Sequence, residues 1–377
     1  MFKIPIYHNI IMSSHIKTQK GKPREDETKK ILHMPLSSSR TIELKEKHRA
    51  GGQGALSARE SRELLLGGNK AHQEKVVASG TTPKSRYNKI VAKEADYLTV
   101  VCSDARNQTL DSEDDKLVGL QIRVAGNVIP ESGVSRYEIE EAAEGLKEGG
   151  LVLITAHIKC GAVAEHVKWK EGGCCDTGSQ PLNRLLEAVK GADARENALA
   201  QLDHLNGVVG DDKSVAAVLY DWETGTYEFL SPEPPEMVEL LVSKWELAHK
   251  LADDGTLGER LNATQKPHAI VIGSNDMPFS VDTVFDSEQN AIFSTTGSEG
   301  GLDNYDEASI LYAVEHLGVA HIAFVAPENG STGAMFEKWE EDIRTMGAVA
   351  DKLDSGALKI TRLGYDLSNG ACKDMQE

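Results

Sequence analysis

The chain writes one plan twice. The apolar run YLTVV (97–101), the segment YEIEEAAEGLKE (137–148) and the apolar run LVLITA (151–156) come first. HAIVIG (268–273), YDEASILYAVEHLG (305–318) and HIAFVA (321–326) follow in the same order. Short apolar runs bounded by polar residues predict buried strands, and the segments between them have helical spacing and good helix formers. Strand, crossover helix and strand predict a parallel sheet, so each copy is expected to be an α/β unit. A fixed offset ties the copies together. Asp104 to Asp276 and Gly161 to Gly333 are both 172 residues apart, while Tyr220 to Tyr365, in the echoing phrases LYDWETGTYEFL and GYDLSNG, are 145 apart. An internal duplication is the expectation, with the proline-rich SPEPPE (231–236) as its junction.

A length of 377 residues accommodates two such units. The net charge of −18 argues against nucleic-acid binding, which needs a basic surface. Mean hydropathy is −0.36 with 40% hydrophobic residues, and no apolar run approaches the roughly 18 residues of a membrane span. The first fifty residues differ from the rest, with 11 Lys and Arg against 5 Asp and Glu. They lack an apolar period, so residues 1–55 are expected to form a flexible basic arm. The opening MFKIPIYHNIIM is too weakly organised for a signal peptide. A cytoplasmic location is expected, with organelle import as the alternative. Five cysteines at irregular spacing do not make a secreted disulfide framework. The adjacent pair Cys174 and Cys175 reads as spare thiols in a polar loop.

The chemistry concentrates in the first copy. Cys102 follows one strand, His157 ends another, and Cys160 lies three residues beyond. The carboxyl ends of parallel strands are where open α/β sheets place ligands. Two thiolates and an imidazole suit zinc, and three protein ligands leave a fourth position open, as in a catalytic site. Asp104 sits two residues after Cys102 and two before Arg106. It either fills the fourth position or pairs with the arginine, which would hold it ionised. His166, His204, His316 and His321 have no such setting and read as structural.

CSDAR (102–106), RVAGN (123–127) and AHIKCGAV (156–163) resemble the beta-class carbonic anhydrases. ESRELLLGGNKA (60–71) is similar to that family's early helix, and YDWETG (220–225) to its closing strand. Ala156, in place of the usual glycine, and the polar stretch NQTLDSEDDK (107–116) depart from the pattern. The resemblance implies that Cys102, His157 and Cys160 bind Zn2+, that Asp104 and Arg106 form the gating and orienting dyad, and that RVAGN runs beside them. It implies reversible hydration of carbon dioxide to bicarbonate by zinc-bound hydroxide. Hydrolysis of carbonyl sulfide or carbon disulfide on the same site is one alternative. A non-catalytic bicarbonate-sensing or scaffold protein is another, and the basic arm would suit docking to a larger assembly.

At the same offset Cys102 meets Ser274, His157 meets Asn329, Cys160 meets Thr332 and Arg106 meets Pro278. Serine, asparagine and threonine are poor zinc ligands. Residues 56–230 are therefore expected to be a zinc-binding catalytic repeat, and 231–377 a degenerate one with no metal. The family works as a dimer, so the resemblance implies two repeats, each a mainly parallel sheet flanked by helices, arranged as an intramolecular pseudo-dimer. Such chains are expected to form homo-oligomers. Phe279, Val281 and Phe285 are the candidates for an apolar wall supplied by the second repeat.

Overall fold

The computed structural model describes residues 39–375, apart from 52–54, 109–110, 112–116, 174–175, 232–234, 253–260 and 262–264. The described residues belong to one compact unit. Two five-stranded sheets carry the unit. The first contains β1 (Ala95–Val101), β2 (Gly119–Arg123), β3 (Leu146–His157), β4 (Ser214–Asp221) and β5 (Thr226–Phe229), in the order β2-β1-β3-β4-β5. The second contains β6 (Ala269–Ser274), β7 (Ile292–Gly297), β8 (His321–Pro327), β9 (Lys359–Tyr365) and β10 (Cys372–Asp374), in the order β7-β6-β8-β9-β10. Each has three parallel pairings and one antiparallel pairing, at β4/β5 and β9/β10. The strand order and the sense of every pairing are thus the same in both. Helices on both faces explain the uninterrupted apolar runs. Leu98, Val100, Val152, Ile154, Ile270, Ile272, Ile322 and Phe324 are fully buried.

The helix expected over 137–148 runs instead over Val134–Glu144, and β3 already begins at Leu146, paired with Ala95. YDWETG is not a strand throughout. Asp221 ends β4, and its carboxylate accepts from the Glu223 N–H at 2.8 Å to shape the β4–β5 turn, which Gly225 closes at φ 72°.

Two long helices cross between the sheets. Ala58–Ser79 starts with a capping box, in which Ser57 accepts from Glu60 N–H and Glu60 from Ser57 N–H. It comes before the first sheet in sequence but packs on the second. Leu65 and Val76 join the cluster of Val271, Phe279, Phe285 and Tyr365. Gly68 is required there, since a methyl group on it would lie 1.8 Å from the Phe285 carbonyl oxygen. Glu236–Ala252 precedes the second sheet but covers the first, where Val238, Leu241, Val242 and Trp245 meet Leu151, Leu153, Val218 and Tyr220. The stretches 56–230 and 231–377 are therefore not two separate bodies in space.

Of the arm expected over 1–55, residues 1–38 and 52–54 lie outside the described residues. Ser39–Ala50 is a helix. Leu44 is buried with Leu56 and Leu64, and Arg49 forms a two-pronged pair with Glu288. The basic residues read as an arm here serve a packed helix, which corrects that expectation for this segment. Cys174 and Cys175 lie outside the described residues. Among the described residues no helix is long and apolar enough to cross a membrane.

The first of these crossing helices also carries a buried histidine junction. Ser61 Oγ lies 2.9 Å from His268 Nδ1 and 2.8 Å from His321 Nδ1, and His321 Nε2 meets Thr361 Oγ1 at 3.0 Å. Burial, followed by repulsion from Arg62, pushes His321 down to about 4. The unfolded chain takes up that proton near pH 6.5, so it binds more protons than the native state below that value. Stability from this group is complete above pH 6.5 and is lost as pH falls toward 4, on the order of 3 kcal/mol. His321→Gln is expected to flatten the acid limb of the unfolding midpoint against pH in urea titrations. A limb as steep as that of the unaltered chain would refute the assignment.

Candidate metal centre

β1 and β3 are parallel neighbours with Val101 opposite Thr155, so Cys102 and His157 emerge at one sheet edge. Lys159, in the left-handed region at φ 51°, turns the chain between His157 and Cys160. Cys160 then stands just before the helix Gly161–Glu171. The donor atoms of Cys102, His157 and Cys160 lie within 4.8 Å of one another. The two Sγ atoms are 3.8 Å apart, and neither is in a disulfide. All three residues are buried. Among the described residues this is the one group of three whose donors converge so.

His157 Nδ1 donates to the Ile158 carbonyl at 2.8 Å. A carbonyl only accepts, so in the neutral ring the proton is on Nδ1 and Nε2 presents a lone pair. Nε2 has no hydrogen-bond partner. Burial pushes the Cys102 thiol well above its ordinary value, while the neighbouring Cys102 thiol and the Val163 and Ala162 N–H groups bring Cys160 below it. An orphaned imidazole nitrogen between two thiols, one of them disposed to ionise, is a donor set that fits zinc.

Asp104 stands beside this triad and faces Arg106. Arg106 Nε donates to Oδ1 at 2.9 Å, Nη2 to Oδ2 at 2.7 Å, and the Arg106 N–H to Oδ1 at 2.9 Å. Asp104 Oδ2 is 3.8 Å from His157 Nε2. Burial alone would raise the Asp104 carboxyl, but the charge that His157 carries when its ring is protonated, followed by Arg106, outweighs it and holds it below the ordinary carboxylate range. Trp222 lies under both partners, 4.1 Å from the Arg106 guanidinium and 5.0 Å from the His157 ring. RVAGN runs alongside. The Gly126 N–H donates to Cys102 Sγ at 3.3 Å, and Asn127 Nδ2 donates to Val100 and Thr155 carbonyls at 3.0 and 2.8 Å.

Cys102 and Asp104 line a cavity of about 850 Å³. Its apolar wall comes partly from the later half of the chain, but not from Phe279, Val281 and Phe285, which pack beneath the helix Ala58–Ser79. Phe293 of β7 and Leu311 and Tyr312 of the helix Asn304–Glu315 supply it. Even-spaced apolar residues near a strand end gave no signal to separate the two groups. Trp222 and Gln289, which donates to the Tyr220 hydroxyl at 3.2 Å, were also missed. The polar stretch 107–116 is explained where it is described. Asn107 donates to the Thr155 carbonyl at 2.8 Å, Gln108 to Ser287 Oγ and the Glu288 carbonyl at 3.0 Å each, and Asp111 accepts from the Ser280 N–H at 2.6 Å.

The matching edge of the second sheet is closed on itself. Ser274 donates to Asp276 Oδ1, and Tyr87 donates to Oδ2 at 3.3 Å. Sheet register corrects one correspondence. His157 lies opposite Tyr220 as Pro327 lies opposite Tyr365, so Pro327 and not Asn329 takes the histidine's place. The link from β8 to its helix is longer than that from β3, which restores the 172 offset at Gly333. Asn329 Oδ1 instead accepts from the Ser331 and Thr332 N–H groups at 2.9 and 3.1 Å, at the start of the helix Thr332–Thr345.

No family model matches the sequence, and no curated protein matches it. Solved structures that resemble it include beta-carbonic anhydrases and a carbon disulfide hydrolase. The beta-carbonic anhydrase CcaA is 13% identical over 37% of this chain and 95% of its own, with a TM-score of 0.32. A tetrameric beta-carbonic anhydrase from Sordaria macrospora is 15% identical over 37% and 96%, at 0.30. The apo carbon disulfide hydrolase is 12% identical over 40% and 87%, at 0.28. Similarity at this level does not transfer function.

Proposed function

We propose that the chain is a zinc-dependent carbonic anhydrase that converts carbon dioxide and water reversibly to bicarbonate and a proton, at one site per chain. The observation that carries this is the buried Cys102–His157–Cys160 triad, with an orphaned Nε2, beside a carboxylate fixed by Arg106. Those three residues would hold the zinc, which when bound lowers the pKa of water toward about 7 and makes a nucleophile available at neutral pH. Asp104 has both oxygens engaged by Arg106 and cannot rotate freely. Its Oδ2, on the side facing His157, accepts a hydrogen bond from the reacting polar group and orients it. Phe293 and Leu311 favour a small apolar substrate over a charged one. Same-order sheets and exchanged helices support a duplicated chain folded as a pseudo-dimer, in which 231–377 gave up its ligands.

Stopped-flow carbon dioxide hydration on zinc-loaded protein is the test. Turnover well above the buffer rate is expected, abolished by a chelator, restored by zinc, with metal content near one ion per chain. Folded protein with one zinc and no hydration would sink the reading. Carbonyl sulfide turnover in that sample would move the activity to hydrolysis, and absence of both would favour a non-catalytic role.

A further inference from the structure

The later half of the chain holds a buried carboxylate that reaches the metal centre through one arginine. Arg123, the last residue of β2, is 2% exposed at its side chain, and Asp282 is 1% exposed. Arg123 Nη2 donates to Asp282 Oδ2. Its Nη1 donates to the carbonyl oxygen of Cys102 at 2.9 Å, and its Nε to Gln121 Oε1 at 2.9 Å. Asp282 Oδ1 accepts from Ser287 Oγ at 3.2 Å and Gln108 Nε2 at 3.2 Å, so the carboxylate is itself held. The backbone of Arg123 is pinned to β7 as well. Its N–H donates to Thr296 Oγ1 at 2.9 Å, and its carbonyl accepts from Thr295 Oγ1 at 3.1 Å. A planar guanidinium fixes the groups on its two edges relative to each other. Here those groups are an acid of the later half and the main chain of a metal-ligating cysteine.

The arrangement runs one way. Val101 pairs with Arg123 as Gly273 pairs with Thr296, so a threonine stands in the second sheet where the first has the arginine. The later half lacks both the ligands and the arginine but carries an acid that serves the other sheet. We propose that Asp282 is a positioning residue for the metal centre: by holding Arg123 it sets the Cys102 main chain, and so the place of its Sγ. This rests on reading the triad as a metal centre. It also gives the metal-free half a task that a mere covering would not have.

The test is metal binding by the full chain. Competition against a chromophoric chelator gives the Zn2+ affinity, and the Co2+ absorption spectrum reports ligand geometry. Asp282→Asn is expected to weaken affinity about 10- to 100-fold and to alter the cobalt spectrum, as loss of a partner outside the ligands does. Asp282→Glu, which keeps the carboxylate, is expected to regain part of it. Should Asp282→Asn alone fail to fold around the unpaired arginine, the double variant Arg123→Gln with Asp282→Asn removes that buried charge and is expected to fold with the same weakened affinity. A structural role alone would lower the unfolding midpoint and leave affinity and spectrum unchanged, which in any folded variant would overturn the proposal. If the unaltered chain binds neither ion, the reading of the triad falls and this proposal with it.

Discussion

Cys160→Ser is expected to remove the metal and the hydration activity together while leaving the fold in place. The thiol is buried, 3.8 Å from Cys102 Sγ, and the Cys102 thiol together with the Ala162 and Val163 N–H groups favours its ionised form. A serine hydroxyl in the same place is neutral at any working pH and is a hard oxygen donor, a poor ligand for zinc. Structural zinc sites are worth about 10–16 kcal/mol over four ligands, so losing one thiolate costs about 3 kcal/mol or more, on the order of 100-fold or more in affinity. Stability is not expected to follow. Cys160 occupies the position before the helix Gly161–Glu171 without a side-chain cap, and serine is a good residue there. Metal analysis, stopped-flow hydration and circular dichroism on one preparation check all three statements. Retained activity would show that Cys160 is not a ligand. Loss of the fold as well would show that the substitution does more than remove a donor.

The parts of this molecule that were legible in the sequence are those that follow from a local pattern, an apolar run and what stands at its end or a pair two residues apart. Cys102 and His157 each stand at the end of an apolar run, so a parallel sheet alone brings them to one edge, and Cys160 follows by a short turn. Asp104 and Arg106 meet because they are two residues apart. What was not legible depends on which surface covers which. The pattern of Leu65 and Val76 says that a helix face is buried but not that it lies on the second sheet. Nothing in Phe279, Val281 and Phe285 distinguishes them from Phe293 and Leu311, yet only the latter reach the cavity. A fixed offset could not reveal the longer link after β8, because Gly333 restores the register beyond it. Trp222 was hidden in a phrase read as a strand, and it became visible only once the β4–β5 turn placed it under Arg106.

That same exchange of helices makes a strong demand on the first 230 residues taken alone. A chain ending at Leu230 is expected to give no soluble, cooperatively folded protein, even though it contains Cys102, His157 and Cys160, the residues proposed to hold the metal. It would lose the helix Glu236–Ala252, baring Leu151, Leu153, Val218 and Tyr220. Its own helix Ala58–Ser79 would lose the surface that buries Leu65 and Val76. At about 1.5–3 kcal/mol for each large apolar side chain, those six alone forfeit roughly 9–18 kcal/mol, comparable with or above the whole net stability of a typical domain, about 5–15 kcal/mol. Arg123 would in addition lose Asp282 and the hydrogen bonds that pin its main chain to Thr295 and Thr296. The complete chain is correspondingly expected to unfold in urea as one transition, since one face of each sheet is covered by a helix from the other half of the chain. Solubility, near-ultraviolet circular dichroism and zinc content compared between the two chains decide the matter. A soluble 1–230 fragment that melts cooperatively and binds zinc would mean that the seam is an accessory contact. Two separated transitions in the full chain would say the same, and the later half would then need another explanation than completing the first.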